Sequence, residues 1–400
     1  NMFIHLGFVI LCLKIFIRGT NADCMLDLRR SLPAEKLPIY LTKDNNDNFS
    51  WFVPNGQQTT FQTNEKLYAY CPDMRANRGI TEITCTANGN FPVKSVQCEN
   101  EIEPELRQTD VDCYEGFGKI WRLGFYIPDN SISSTKSFKT TVTICYNVDV
   151  LETIYTYHNI NGKAIRYQMN RAEQRFSDAG IPTRDLNPRV NNADNVYTKN
   201  YQSSFFDNLY GSNQNYITNS NFITRGHMAP AGDFIFHPEK RSTFFLVNAA
   251  PQFKSVNSGN WETIEKLTRN LASKQNRQVG VITGIFMGIS FKNTKTNKDI
   301  PATLSSKGRF PVPQYYWRII LDTTSKAAIA FITQNNPHST TPTTLCKNRC
   351  NEAGFVDPNF TNYNSGYTIC CKYDEFVNGI QLEVPPEFET ESFPNLITNV

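Results

Sequence analysis

The stretch Ile223–Leu271 limits the fold more than any other part of the chain. Its run Ser242-Thr243-Phe244-Phe245-Leu246-Val247 is β-branched and aromatic, with Lys240-Arg241 before it and Ala249-Ala250-Pro251 after, which predicts a buried strand. From Ser258 to Ala272 there is no proline, and Trp261, Ile264, Leu267 and Leu271 recur at three- and four-residue spacing, which predicts an amphipathic helix. A short segment through His227 precedes both. Strand, strand and helix in that order would bring His227 across from Asn257 at the helix entrance. Four residues make slightly more than one turn at about 100° per residue. Asn257, Trp261, Glu265 and Arg269 therefore drift along one edge while Ile264, Leu267 and Leu271 face the core.

These side chains suit one kind of chemistry. A neutral histidine can take a proton from water near neutral pH. An asparagine carbonyl is a hard oxygen ligand for Mg²⁺, an ion that keeps several waters when few protein groups bind it. A glutamate further along the helix can orient those waters, and arginine can stabilise charge on a phosphate. Together they are parts for metal-assisted phosphodiester hydrolysis.

The motifs are Arg225-Gly226-His227 with Pro230, then Asn248-Ala249-Ala250-Pro251-Gln252, then Asn257-Ser258-Gly259-Asn260-Trp261, then Glu265 and Arg269. In order and spacing they resemble the active-site region of the DNA/RNA non-specific endonucleases, the ββα-metal family. Thr224 stands where many members carry Asp, a branch difference. Thr224 to His227 with Asp233-Phe234 resembles the secreted arthropod branch of double-strand nucleases and salivary endonucleases.

The resemblance implies a general-base role for His227 and direct ligation of one Mg²⁺ by Asn257, with Mn²⁺ as a substitute. It implies that Glu265 holds metal-bound water, that Arg225 and Arg269 bind phosphate, and that Asn248 holds the site together by hydrogen bonds. A further phosphate-binding arginine would be Arg166, Arg171 or Arg175. The implied fold class is α+β: a ββα-metal nuclease domain with a mixed sheet and flanking helices, preceded by a small disulfide-tied β domain. The implied substrate is double-stranded DNA, with RNA as the open alternative, and cleavage would leave 5′-phosphate ends.

Four hundred residues suffice for one large or two modest domains. Residues 1–22 read as a secretory signal peptide, apolar from Phe3 to Ile17 and too short to span a bilayer. Its removal would leave no membrane segment and would lower the formal charge of +3 by two, through Lys14 and Arg18. Of the 11 cysteines, Cys12 would leave with it, and the remaining even number predicts disulfides in an oxidising compartment. A zinc site at Cys346, Cys350, Cys370 and Cys371 is the competing reading. The sequons at Asn48 and Asn359 are consistent with export.

Residues 23–115 alternate short β-like runs with turn signals, and Leu67–Cys71, Ile83–Cys85 and Val96–Cys98 read as strands ending on cysteines. This unit is expected to be a structural cover. Residues 116–400 would form the nuclease domain with a disulfide-rich tail. Thr140–Tyr146, Leu151–His158, Val279–Ile289, Tyr315–Leu321 and Ala327–Ile332 are its expected strands, and Asn170–Ile217 reads as loop with short helices.

Low net charge does not exclude nucleic acid, provided a local basic surface exists. Lys240, Arg241, Lys254, Lys266 and Arg269 could supply one. His158, His237 and His338 lack the Arg-Gly context and read as structural. The competing function classes are a non-catalytic secreted nucleic-acid-binding protein that retains the nuclease fold, and a structural secreted protein. The second would leave Arg225, His227, Asn257 and Arg269 unexplained.

Overall fold

The apolar runs of the sequence pair into one large sheet. In a computed structural model of the chain, residues 22–130, 134–170, 174–181, 193–388 and 391–399 are described. Residues 1–21 of the expected signal peptide and Arg171 lie outside the described residues. Among the described residues the sheet has nine strands, eight of them in the order Thr368–Cys371, Ala327–Gln334, Pro313–Asp322, Gln278–Gly288, Glu152–Asn161, Lys136–Asn147, Gly118–Pro128 and Glu105–Cys113. These neighbours are antiparallel, and the short Asn395–Leu396 strand adds parallel to Ala327–Gln334.

The central Gln278–Gly288 strand is buried on both faces because it alternates between two cores. Val279 and Val281 join Ile264, Leu271, Tyr316 and Ile320 on one side. Ile282 joins Trp317, Ile319, Phe376 and Phe388 on the other. The helix Glu262–Gln275 covers the first face, and the cysteine-bearing tail covers the second.

The expected five disulfides are formed: Cys24–Cys85, Cys71–Cys98, Cys113–Cys145, Cys346–Cys371 and Cys350–Cys370. The last two overturn the zinc reading, since all four sulfurs are covalently paired. Asn48 and Asn359 are both exposed, as glycan acceptors must be.

The first unit contains a four-stranded sheet in the order Phe49–Trp51, Ile39–Lys43, Lys66–Tyr70 and Ile80–Thr84. A second pair, Cys24–Asp27 with Gln58–Phe61, lies beside it. Leu26, Phe52 and Phe61 share a core with Met228, Phe236 and Trp261, so the unit packs against the ββα region. The strand Glu105–Cys113 hydrogen-bonds into the edge of the large sheet. Val96–Cys98 is not a strand; it follows a single 3-10 turn at Val93–Ser95.

The apolar run Ser242–Val247 is also not the expected strand. The helix His237–Arg241 ends there, and Leu246–Asn248 forms a 3-10 turn. The strand begins only at Ala249. Ser177 bridges to the run through the Ser177 N–H to Phe244 carbonyl bond and the Leu246 N–H to Ser177 carbonyl bond, at 2.8 and 2.9 Å, and Phe245, Leu246 and Val247 are buried in a core with Leu123, Val142 and Ile144. Among the described residues no helix is long and apolar enough to cross a membrane.

Candidate active site

Ile223–His227 and Ala249–Phe253 form an antiparallel pair, with Arg225 opposite Pro251 and His227 opposite Ala249. Strand alternation puts Arg225 and His227 on one face and Gly226 on the other. A Cβ at Gly226 would lie 2.4 Å from Gln252 Oε1 and 2.8 Å from the Tyr316 hydroxyl, so glycine lets the pair pack down on the large sheet. Gly226→Ala is expected to cost about 1–3 kcal/mol by overpacking, read as a lowered midpoint in urea unfolding. Asn335, fully buried, pins the second strand: its Nδ2 donates to the Pro251 carbonyl at 3.1 Å and its Oδ1 accepts from the Phe253 N–H at 3.0 Å.

The chain after His227 is stapled by Asn248. The Asn248 Oδ1 accepts from Ala229 N–H at 3.0 Å, and its Nδ2 donates to the carbonyls of Ala229 and Thr243 at 2.9 and 2.8 Å. The His227 ring lies 4.8 Å from the ring of Phe176 and 5.1 Å, edge-on, from that of Phe244.

Facing this pair is the helix Glu262–Gln275, entered through the short helix Lys254–Val256 and one π turn, Asn257–Trp261. The π turn inserts an extra residue, which corrects the edge expected from a regular helix. Trp261 is fully buried, with its ring 5.1 Å from that of Tyr316. Asn257, Glu265 and Arg269 still line the cleft, and Glu262 joins them. The Asn257 Nδ2 donates to Thr224 Oγ1 at 3.0 Å, and Thr224 Oγ1 donates to the Gln252 carbonyl at 2.9 Å. Thr224 thereby fixes the amide by its nitrogen and leaves Oδ1 as the end with lone pairs to offer.

The cleft between these elements has a volume of about 730 Å³ and includes Arg225, His227, Pro230, Lys240 and Lys254 in its walls. Arg225 donates its Nε to Asp194 and lies over the rings of Phe176 and Tyr197 at 5.6 and 5.4 Å. That grip leaves the two terminal nitrogens as donors. Arg241 and Lys266, expected to add to a basic surface at the cleft, are not in its walls and pair with Glu103 and Glu262, the latter itself a wall residue. Arg166 and Arg175 are exposed and do not line the cleft, although Phe176, next to Arg175, does.

Beneath the cleft lies a charge network that sequence reading missed. Asp233 is buried and accepts from Arg318, from Arg269 Nη1 at 3.1 Å and from His158 Nε2 at 2.9 Å. Burial alone would raise its carboxyl, but Arg318, His158 and Arg269 outweigh that and hold it well below the usual carboxylate range. Burial lowers His158 against the pull of Asp233, which keeps the ring neutral near pH 7. Arg318, fully buried, also donates to Thr268 and Thr283 hydroxyls at 3.1 and 3.0 Å, which satisfies its guanidinium. Burial pushes Glu265 up to about 7, with Arg318 and Arg269 opposing and Asp233 and Glu262 adding. His237 Nε2 donates to the Asn170 carbonyl at 3.0 Å, and His338 packs on Phe253 and Phe291.

A base-capable imidazole, a fixed amide oxygen, a carboxyl and two guanidiniums thus meet around one open cleft. The donor set is hard oxygen, which fits Mg²⁺ better than a soft metal.

A salivary endonuclease of Lutzomyia longipalpis is 30% identical over 378 residues, covering 93% of this chain and 87% of the relative. Salivary protein Tsal1 of Glossina morsitans morsitans is 27% identical over 90% of each chain. The mitochondrial nuclease EXOG of Mus musculus is 30% identical over a shorter region, 37% of this chain and 34% of the relative. A solved EndoG/EndoGI complex aligns with a TM-score of 0.32 at 17% identity, over 49% of this chain and 72% of that one, too loosely to carry an argument. The sequence profile of the DNA/RNA non-specific endonucleases matches residues 124–376, and with a match of that length the chain belongs to this family of nucleases.

Proposed function

We propose that this chain is a secreted, Mg²⁺-dependent endonuclease that hydrolyses double-stranded DNA with little sequence preference and leaves 5′-phosphate ends. The observation that carries it is the pairing across one cleft of His227 with an Asn257 amide whose nitrogen is held by Thr224. In this reading Asn257 Oδ1 is the protein ligand of one Mg²⁺, and Glu265 orients the water of its hydration shell. The ion, when bound, supplies Lewis-acid stabilisation of the departing 3′ oxygen. His227 takes the proton of the attacking water. Arg225 and Arg269 bind the phosphate as charge builds on it, and Asn248 keeps the backbone after His227 in place.

Little base specificity is expected because the polar groups of the cleft suit phosphate and cation, not base edges. Export is supported by the five disulfides and by the salivary names of the relatives. The rival reading, a binding protein that lost turnover, has against it that His227, Asn257 and Glu265 are all present at the cleft.

The test is digestion of plasmid DNA and of double-stranded RNA by purified protein, with Mg²⁺ and with EDTA. Plasmid cleavage that EDTA stops is the expected result, and the RNA lane ranks the substrates. A gel shift without cleavage would favour the binding-protein reading.

A further inference from the structure

The π turn that carries Asn257 is gripped from outside by the disulfide-tied tail. Asn260, in that turn, is 1% exposed. Its Nδ2 donates to the carbonyls of Asn359 and Gly366 at 2.7 and 2.6 Å. Gly259, at φ −105° and ψ −122°, breaks the helical path. A Cβ there would lie 2.8 Å from the Ser365 carbonyl oxygen, so the tail loop presses directly on the break. A Cβ on Gly366 would in turn meet Val256 at 2.8 Å and Thr333 at 2.7 Å, and Gly366 has φ +91°, which favours glycine. The loop is anchored at its far end by the strand Thr368–Cys371, paired with Ala327–Gln334, and by Cys346–Cys371 and Cys350–Cys370.

An isolated helix has no reason to keep a π turn, because regular α geometry satisfies its hydrogen bonds better. Relaxation to the regular register would rotate Asn257 by about 100° relative to Glu265 and Arg269. We propose that Asn260 is a positioning residue: by tying the π turn to the tail loop it holds the Asn257 amide where a divalent cation can bind. The tail then serves the metal site as well as the fold. This rests on the proposed role of Asn257 as metal ligand.

The test uses full-length protein and Mn²⁺ titrations followed by electron paramagnetic resonance, with no substrate present. Asn260→Asp keeps the shape and removes the amide donor. It is expected to weaken Mn²⁺ binding about tenfold or more, with faster hydrogen exchange at residues 254–262, while DNA binding in EDTA is unchanged. Asn257→Ala is titrated alongside. If Asn257→Ala abolishes Mn²⁺ binding and folded Asn260→Asp binds it normally, the positioning role is overturned and the ligand reading stands. If Asn257→Ala itself binds Mn²⁺ normally, the ligand reading fails and the positioning role falls with it. Should Asn260→Asp not fold, the double variant Cys346→Ser/Cys371→Ser loosens the tail without touching the helix. Weakened Mn²⁺ binding in that variant supports the proposal, and unaltered binding overturns it.

Discussion

His227→Ala is expected to lower plasmid cleavage by about 10²–10⁴-fold, the usual loss when a positioned general base is removed. Fold and DNA binding should survive. The staple that fixes this part of the chain runs from Asn248 to the backbone of Ala229 and Thr243, and it does not use the imidazole. The Arg225–Asp194 and Arg269–Asp233 pairs, which hold the guanidiniums that line the cleft, lie on other side chains. Initial nicking rates, gel shifts in EDTA and near-ultraviolet circular dichroism would separate these effects. Near-normal cleavage by a folded variant would remove His227 as the base. Loss of DNA binding together with cleavage would mean that the ring matters for the cleft's shape, through Phe176 and Phe244.

The helix of the ββα region and the residues facing its cleft were legible because they lie close in sequence and each has a distinctive chemistry. Long strands such as Gln278–Gly288 and Pro313–Asp322 were legible because an uninterrupted apolar run admits few other structures. Ser242–Val247 was misread for the same reason in reverse. That run is buried by packing against Leu123, Val142 and Ile144 while its backbone bonds to Ser177, a distant segment, and a buried turn has the same composition as a buried strand. Trp261 was placed on the cleft edge by regular helix geometry, and the π turn at Gly259 moved it into the core. The support beneath the cleft was invisible for a different reason. His158, Asp233, Arg269 and Arg318 meet only through the tertiary fold, and no spacing rule links them. A buried guanidinium such as Arg318 on an otherwise apolar strand was the one available signal, since a charge there needs a partner.

Glu265→Gln should separate function from stability. Glu265 is 16% exposed, and burial pushes its carboxyl up to about 7. A cation bound at Asn257 would favour the ionised form, so binding below pH 7 must release a proton. Metal affinity is then expected to rise roughly tenfold per pH unit up to about 7 and to level off above it. The sign for stability is opposite. The folded value lies above the ordinary value of 4.5, so the contribution is fully present below pH 4.5 and is lost as pH rises through about 7. The loss in metal-free protein is about 2–3 kcal/mol at pH 8. Glutamine fills nearly the same space and carries no charge to desolvate. The variant should therefore melt higher than wild type at pH 8 in EDTA and close to it at pH 4.5. It should cleave about 10–100-fold more slowly with Mg²⁺, as loss of an outer-shell partner usually does. Calorimetry at the two pH values, and Mn²⁺ titrations from about pH 5.5 to about pH 8, would decide it. A variant that melts no higher at pH 8, and whose metal binding keeps the wild-type pH dependence, would show that another group carries the linked proton.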